Sequence, residues 1–365
     1  MEMEKEQNSN KQNHKSHTFS GHVYMFFAFD IGEDINFEAV KSSKDLNSSS
    51  VNLSKFFKNY HAPLAIDIPN QDKSPYCIDA KLHQFGAISM TYKVPVSNTF
   101  QALKSELIAI DEEYQPRSIN DAMAIYKKIK KFVTKPNFFH LRSYYTIIQI
   151  DCEKDFNGQQ IKEIFSHEIA ALLRFETQTL SEHQKEEILA PSAGYFKKDL
   201  IIIDREAAFV YDPQYSELLD FFELGNIQQL ELQYFDKLLD KQMTVIYENK
   251  TRNLPMLAYF PFIGSRYFDP VGELTKLKVD ISVITERLEN SIKLVGETYF
   301  SEIYDLIVVN LDLKNWKDSI EKKFVIMKEV QYDYQNKIDT TREDVLTTLI
   351  IILILIELIV AIIKH

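Results

Sequence analysis

Apolar residues recur along this chain with three different spacings, and each spacing predicts a different kind of element. In HVYMFFAF (His22–Phe29), between Gly21 and Gly32, the run is nearly continuous, as in a strand covered on both faces. APLAIDI before Pro69 and SYYTIIQI (Ser143–Ile150) predict two more strands, and HQFGAISMTYKVPV predicts another, closed at Pro95. Short helical patterns occupy Ile35–Val40 and Leu53–Phe57, with a Ser/Asn-rich loop over Ser42–Asn52 between them. Helices are predicted over Thr99–Ile110 and Ile119–Val133. A further amphipathic helix spans Gln159–Phe175, with Ile161, Ile164, Phe165, Ile169 and Leu172 on one side. Tyr195–Tyr211 reads as a hairpin with arms KKDLIII and EAAFVY, turning at Asp204-Arg205. After Pro213 the pattern is helical, interrupted at Gly225 and resumed as IQQLELQYFDKLLDKQMTVIYE. Strands and helices mix without strict alternation, which predicts an α+β soluble body over 19–270.

The pattern changes from Leu274 onward. Leu277, Ile281, Ile284, Leu288, Ile292, Val295, Tyr299, Ile303 and Leu306 recur at three- and four-residue steps, the stripe of a helix. A turn is expected over Asn310–Asn315, and a second stripe follows through Trp316, Ile320, Phe324, Met327, Tyr334 and Ile338. The two stripes predict a long antiparallel, coiled-coil-like hairpin over 271–344. Gly296 lies inside the first arm, as tolerated sequence or as the point of a close crossing.

Nothing after Leu313 breaks the helix, so the second arm is expected to run on into Val345–Ile363, VLTTLIIILILIELIVAII. That last segment is roughly 28 Å long as a helix, about the thickness of a bilayer's hydrocarbon core. It is apolar all round apart from Thr347, Thr348 and Glu357, which predicts a single transmembrane anchor in membrane lipid.

Charge and cysteine usage narrow the function classes. A formal net charge of −11 over 365 residues argues against broad binding to nucleic acid. Cys77 and Cys152 stand far apart, without metal-ligand spacing, and are expected to be buried and inert in a reducing compartment. Residues 1–18 carry no apolar run; they predict a disordered polar tail and no secretory leader. Lys322, Lys323, Lys328, Lys337 and Arg342 precede the anchor and Lys364 follows it. This predicts a body on the cytoplasmic side of the inner membrane.

Chemical motifs are scarce. Nine glycines include no GxxxxGK or GxGxxG, so no phosphate cradle and no cofactor are expected. His167-Glu168 begins like a zinc motif, but Ala171 stands where the second histidine would be, and no metal site is expected. Ser192-Ala193-Gly194 lacks the flanking glycine of a nucleophile elbow. Asp204, Glu206 and Asp212 could supply carboxylate chemistry, although aspartate beside a turn has backbone reasons to be there. Glu231, Asp236 and Asp240 fall near one helical face, as packing positions or a site. Glu357 is costly inside a membrane, about 2.5–3.5 kcal/mol if charged, unless it reaches water or bonds another helix.

The heptad-like stripe leading into the ending TTLIIILILIELI, with Glu357 near its end, resembles the family named for Required for Meiotic nuclear Division 1. DLIIIDREAAFVYDP, GNIQQLELQYFDKLLD and ITERLENSIKLVGETYFSEIY are similar to patterns of uncharacterised bacterial membrane-anchored proteins with the same ending, a nearer resemblance. HQFGAISMTYKVPV also resembles that family's strand ending in a G-A-I/V motif. The resemblance implies a membrane-anchored, non-catalytic protein, and for its eukaryotic members a link to organelle translation.

Together these readings predict a tail-anchored scaffold or tether, homo-oligomeric or bound to a membrane protein through Glu357. A membrane-bound hydrolase using body carboxylates and a translation-linked adaptor are the rival expectations.

Overall fold

The computed structural model describes residues 16–44, 46–51, 62–68, 75–138, 142–251, 279 and 298–363. The polar tail up to residue 15, the Leu53–Phe57 pattern, most of the first stripe and Gly296 lie outside the described residues. The chain divides into two compact units, one of Met1–Tyr234 with Arg287–Trp316, the other of Phe235–Glu286 with Lys317–His365.

The first unit is built on a nine-stranded sheet in the order β2-β3-β4-β5-β1-β6-β9-β8-β7. Its strands are β1 (Phe19–Asp30), β2 (Ser48–Ser50), β3 (Leu64–Ile66), β4 (Cys77–His83), β5 (Ala87–Asn98), β6 (Arg142–Ile150), β7 (Ser192–Ala193), β8 (Leu200–Ile203) and β9 (Ala207–Tyr211). Every pairing is antiparallel except β6 with β9. Strand β1 lies at the centre between β5 and β6 and is covered on both sides, which is why its apolar run is continuous.

On one face the odd residues of β1 join an apolar core. Phe19 stacks on Phe100 at 4.5 Å between ring centroids, and Phe100 meets Phe165 and Phe209 edge-on. The covering elements are α2 (Phe100–Ile129), α3 (Gly158–Ile164), α4 (Ser166–Leu173) and α5 (Glu182–Leu189); a short α1 (Phe37–Lys41) follows β1.

Several expected boundaries move, each for a local reason. The strand read through HQFGAI is two strands, β4 and β5, joined at Gln84–Gly86; Gly86 has φ +96°, a conformation open to glycine. The two helices read over Thr99–Ile110 and Ile119–Val133 are one, α2, which runs through Pro116. A proline there costs about 3 kcal/mol, and burial of Leu107, Ile110, Tyr114, Ala122 and Ile125 along one stripe outweighs it. The helix read over Gln159–Phe175 is broken at Phe165 into α3 and α4. A short strand, β2, lies within the loop read over Ser42–Asn52.

The other face is covered by the start of α6 (Ser216–Thr251) and by α7 (Thr298–Asn310). Helix α6 passes without a break through Gly225, where an interruption was expected. A Cβ on Gly225 would come within 2.6 Å of Ile307 Cγ2 and 3.1 Å of Leu311 Cδ1, so this glycine marks a close crossing with α7. Phe221 stacks on Phe300 at 5.4 Å along the same seam.

The turn expected over Asn310–Asn315 is present: α7 ends at Asn310, Asp312 takes φ +58°, and α8 (Leu313–Ile363) begins. An antiparallel coiled coil of two arms is not seen among the described residues. In the first unit α7 packs on α6. In the second unit α8 is tied to the later part of α6, where Lys323 reaches both Asp236 and Asp240 at 2.7 Å.

Candidate functional site

Two features of the molecule are not explained by ordinary core packing: a buried polar layer between the sheet and α6, and the exposed apolar end of α8.

The polar layer follows from strand alternation. On β4 and β5, Cys77, Ala80, Leu82, Ile88, Met90 and Tyr92 belong to the apolar core, so Lys81, His83 and Ser89 point the other way, under α6. Lys81 Nζ donates to Glu223 Oε2 at 2.6 Å and lies 3.0 Å from Asp79 Oδ2. Ser89 Oγ donates to Glu223 Oε1 at 2.7 Å. His83 Nε2 stands 2.8 Å from the same hydroxyl, and because the serine proton is engaged by Glu223, the histidine is the donor there. Burial and then the Lys81 charge hold His83 down to about 3, so it is neutral. Burial pulls the Lys81 ammonium down, but Glu223 and Asp79 together raise it above its ordinary value. Ser89, His83 and Glu223 resemble a hydrolytic triad in composition only. The serine sits between the other two rather than at the end, and all are buried.

Further along α6, Asn226 Nδ2 donates to the Phe26 carbonyl at 3.1 Å, and Ser143 Oγ lies 2.7 Å from Asn226 Oδ1 and from Gln229 Oε1. Gln229 Nε2 then donates to the Leu311 carbonyl, and Tyr304 OH donates to Gln228 Oε1. One turn on, Glu231 faces Asp30 at the end of β1, with 4% and 3% of their surfaces exposed. Burial raises Asp30 to about 8, although the Gly32 amide bonds to it. Burial and then Asp30 raise Glu231 well above its usual range, and its Oε2 has no hydrogen-bond partner among the described residues. Both carboxyls are therefore shifted toward the protonated form. The arrangement fixes helix to sheet, and its side chains are buried.

The other residues singled out in the sequence are dispersed. Asp236 and Asp240 share Lys323 in the second unit, whereas Glu231 is buried in the first. Asp204 pairs with Arg174 at 2.6 Å and closes the β8–β9 turn, and Asp212 accepts from the Gln214 amide and the Tyr299 hydroxyl. His167 lies 3.3 Å from Glu182. Cys77 is buried but Cys152 is exposed, which corrects the expectation of two buried thiols. Burial, then Asp121, pushes Cys77 up to about 12, and partial desolvation, then Asp212, pushes Cys152 up to about 11. No group of metal-ligating side chains occurs among the described residues.

Lys81, His83, Ser89, Glu223 and Asp30 were not singled out. These polar residues alternate with apolar ones along β4 and β5, and α6 covers the face they form.

The second feature is α8. It runs unbroken for 51 residues, about 77 Å. From Leu346 to Ile363 every residue is exposed, and Glu357 is the one ionisable group among them. By length and composition Asp339–Ile363 is one helix that could cross a membrane.

The chain was compared with known proteins. A family model described as the N-terminal domain of the uncharacterised protein MJ0711 matches residues 20–217, the sheet and its apolar-side helices. The uncharacterised protein MJ0711 of Methanocaldococcus jannaschii is 26% identical over 205 residues, 54% of this chain and 59% of that relative. The chain therefore matches less than two thirds of the relative's length. No solved structure matches.

Proposed function

Since this chain belongs to the family of the MJ0711 N-terminal domain, whose description names no activity, we propose that it is a membrane-anchored scaffold or tether. The observation that carries the reading is the fully exposed aliphatic surface of Leu346–Ile363. In water such a surface would cost roughly 25 cal/mol per Å² against burial, and nothing in the described chain covers it. In a bilayer it costs nothing, and a helix satisfies its own backbone there.

The body is held to the cytoplasmic side, as the basic residues before the span favour. Glu357 bonds to a second copy or to another membrane helix. The rival reading, a hydrolase using body carboxylates, would rest on Asp204, Glu206 and Asp212; Asp204 is paired with Arg174, and Asp212 accepts from the Gln214 amide and the Tyr299 hydroxyl. The resemblance to the Required for Meiotic nuclear Division 1 family extends the proposal to a translation-linked adaptor. That extension expects a basic face on an acidic chain.

Cross-linking of the full chain in mild detergent tests the tether. Glu357→Leu is expected to reduce the oligomer severalfold, and an unchanged ladder of species rejects association through this carboxyl.

A further inference from the structure

The first unit carries an exposed aromatic tip among its described residues. Between β7 and β8 the sequence Gly194-Tyr195-Phe196-Lys197-Lys198 is exposed throughout, with Tyr195 at 66% and Phe196 at 63%. The tip is nonetheless built. The Phe196 amide donates to Asp199 Oδ2 at 2.9 Å, and the Asp199 amide returns a bond to the Phe196 carbonyl at 3.0 Å. A Cβ on Gly194 would meet the Asp199 carbonyl at 2.7 Å, so the base of the tip is tight. The Tyr195 ring stands edge-on to Phe196 at 4.7 Å and to Tyr299 at 5.3 Å, and Tyr299 is itself fixed by its bond to Asp212.

Two aromatics are thus held outward by a structured turn and followed at once by two lysines. Lys197 and Lys198 make the tip's own exposed side chains positive on a chain whose net charge is −11, with Asp199 and Asp212 buried at the base and the exposed Glu302 close to Tyr299. Rings that favour the bilayer interface, beside ammonium groups that favour anionic headgroups, match a lipid surface.

We propose that the Tyr195–Lys198 tip is a second membrane contact, its rings seated among the headgroups of an anionic leaflet and Lys197 and Lys198 against lipid phosphates. The inference rests on the proposed anchoring of Leu346–Ile363 in a bilayer. The tip would add a second point of attachment.

The test uses the full chain carrying Trp316→Phe and Phe196→Trp, so that the only indole is at the tip. It is reconstituted into vesicles of phosphatidylcholine and phosphatidylglycerol. Expected are co-flotation, blue-shifted emission and loss of intensity when the acyl chains are brominated. The same chain with Lys197→Glu and Lys198→Glu is expected to float equally and to lose most of that quenching. A chain that floats but emits as in water, unquenched by bromine, overturns the tip contact and leaves the anchor standing. Blue-shifted emission that bromine does not quench means a protein surface covers the tip, and also overturns it. A chain that stays at the bottom of the gradient overturns both.

Discussion

The tetrapeptide Leu-Ile-Ile-Ile occurs twice in the described chain, at Leu200–Ile203 and at Leu349–Ile352, with opposite fates. In β8 it is a strand with all four side chains buried; in α8 it is helical with all four exposed. Ile202 has 0% of its surface exposed and Ile352 48%. The local residues are identical, so their own preference decides neither conformation nor burial. What differs is the bracket. Asp199 and Asp204 stop the first run after four residues, the length of a strand buried between two layers. The second run continues into more aliphatic residues up to Ile363, broken by Glu357, a length that suits a helix able to cross a bilayer.

The largest expected effect separates the two copies. Ile202→Ala is expected to cost the folded body about 2–5 kcal/mol, because a cavity opens between sheet and helices. Ile352→Ala should leave the denaturation midpoint of the body within about 0.5 kcal/mol. Chemical denaturation of the full chain in detergent micelles reads both. Equal losses would mean that the second run is packed inside protein after all.

A smaller effect contrasts apolar burial with polar burial. Asp30 is held at about 8 in the folded chain, against about 3.9 for an unstructured aspartate. A carboxyl raised on folding favours the native state while it is protonated. Its contribution is full below the unfolded value and is lost as pH climbs through about 8. Asp30→Asn removes the cost of ionisation, keeps an acceptor for the Gly32 amide, and is expected to stabilise the body at pH 8 by about 1 kcal/mol or more. The variant's stability should also fall less between pH 5 and pH 8. Denaturation midpoints across that range check it; an unchanged slope would show that Asp30 ionises freely.

The same contrast explains what the sequence disclosed. Strands β1 and β6, the Asp204-Arg205 hairpin, the turn near Asp312 and the final helix were legible because their apolar spacing or turn residues act locally. The β4–β5 turn was not, since Phe85-Gly86-Ala87 continues an apolar run and only the positive φ of Gly86 ends the strand. The continuity of α2 across Pro116 and of α6 across Gly225 depends on what packs against them, and neither residue discloses its neighbours. The polar layer was hidden for a related reason. Lys81, His83 and Ser89 alternate as on a wetted face, and it takes Glu223, 134 residues beyond Ser89, to cover and neutralise them. Asp236 and Asp240 were legible as a pair by their spacing, but Glu231 points elsewhere, 140° around the helix from Asp236 at 100° per residue.

The central claim is that the second Leu-Ile-Ile-Ile run lies in lipid. Membranes from cells making the full chain, washed with alkaline carbonate, test it directly. The account predicts that the chain stays in the pellet and is released by detergent, and that Leu353→Arg, which adds about 2.5–3.5 kcal/mol to insertion, moves a large part of it to the supernatant. Release of the unaltered chain by carbonate alone would contradict the account.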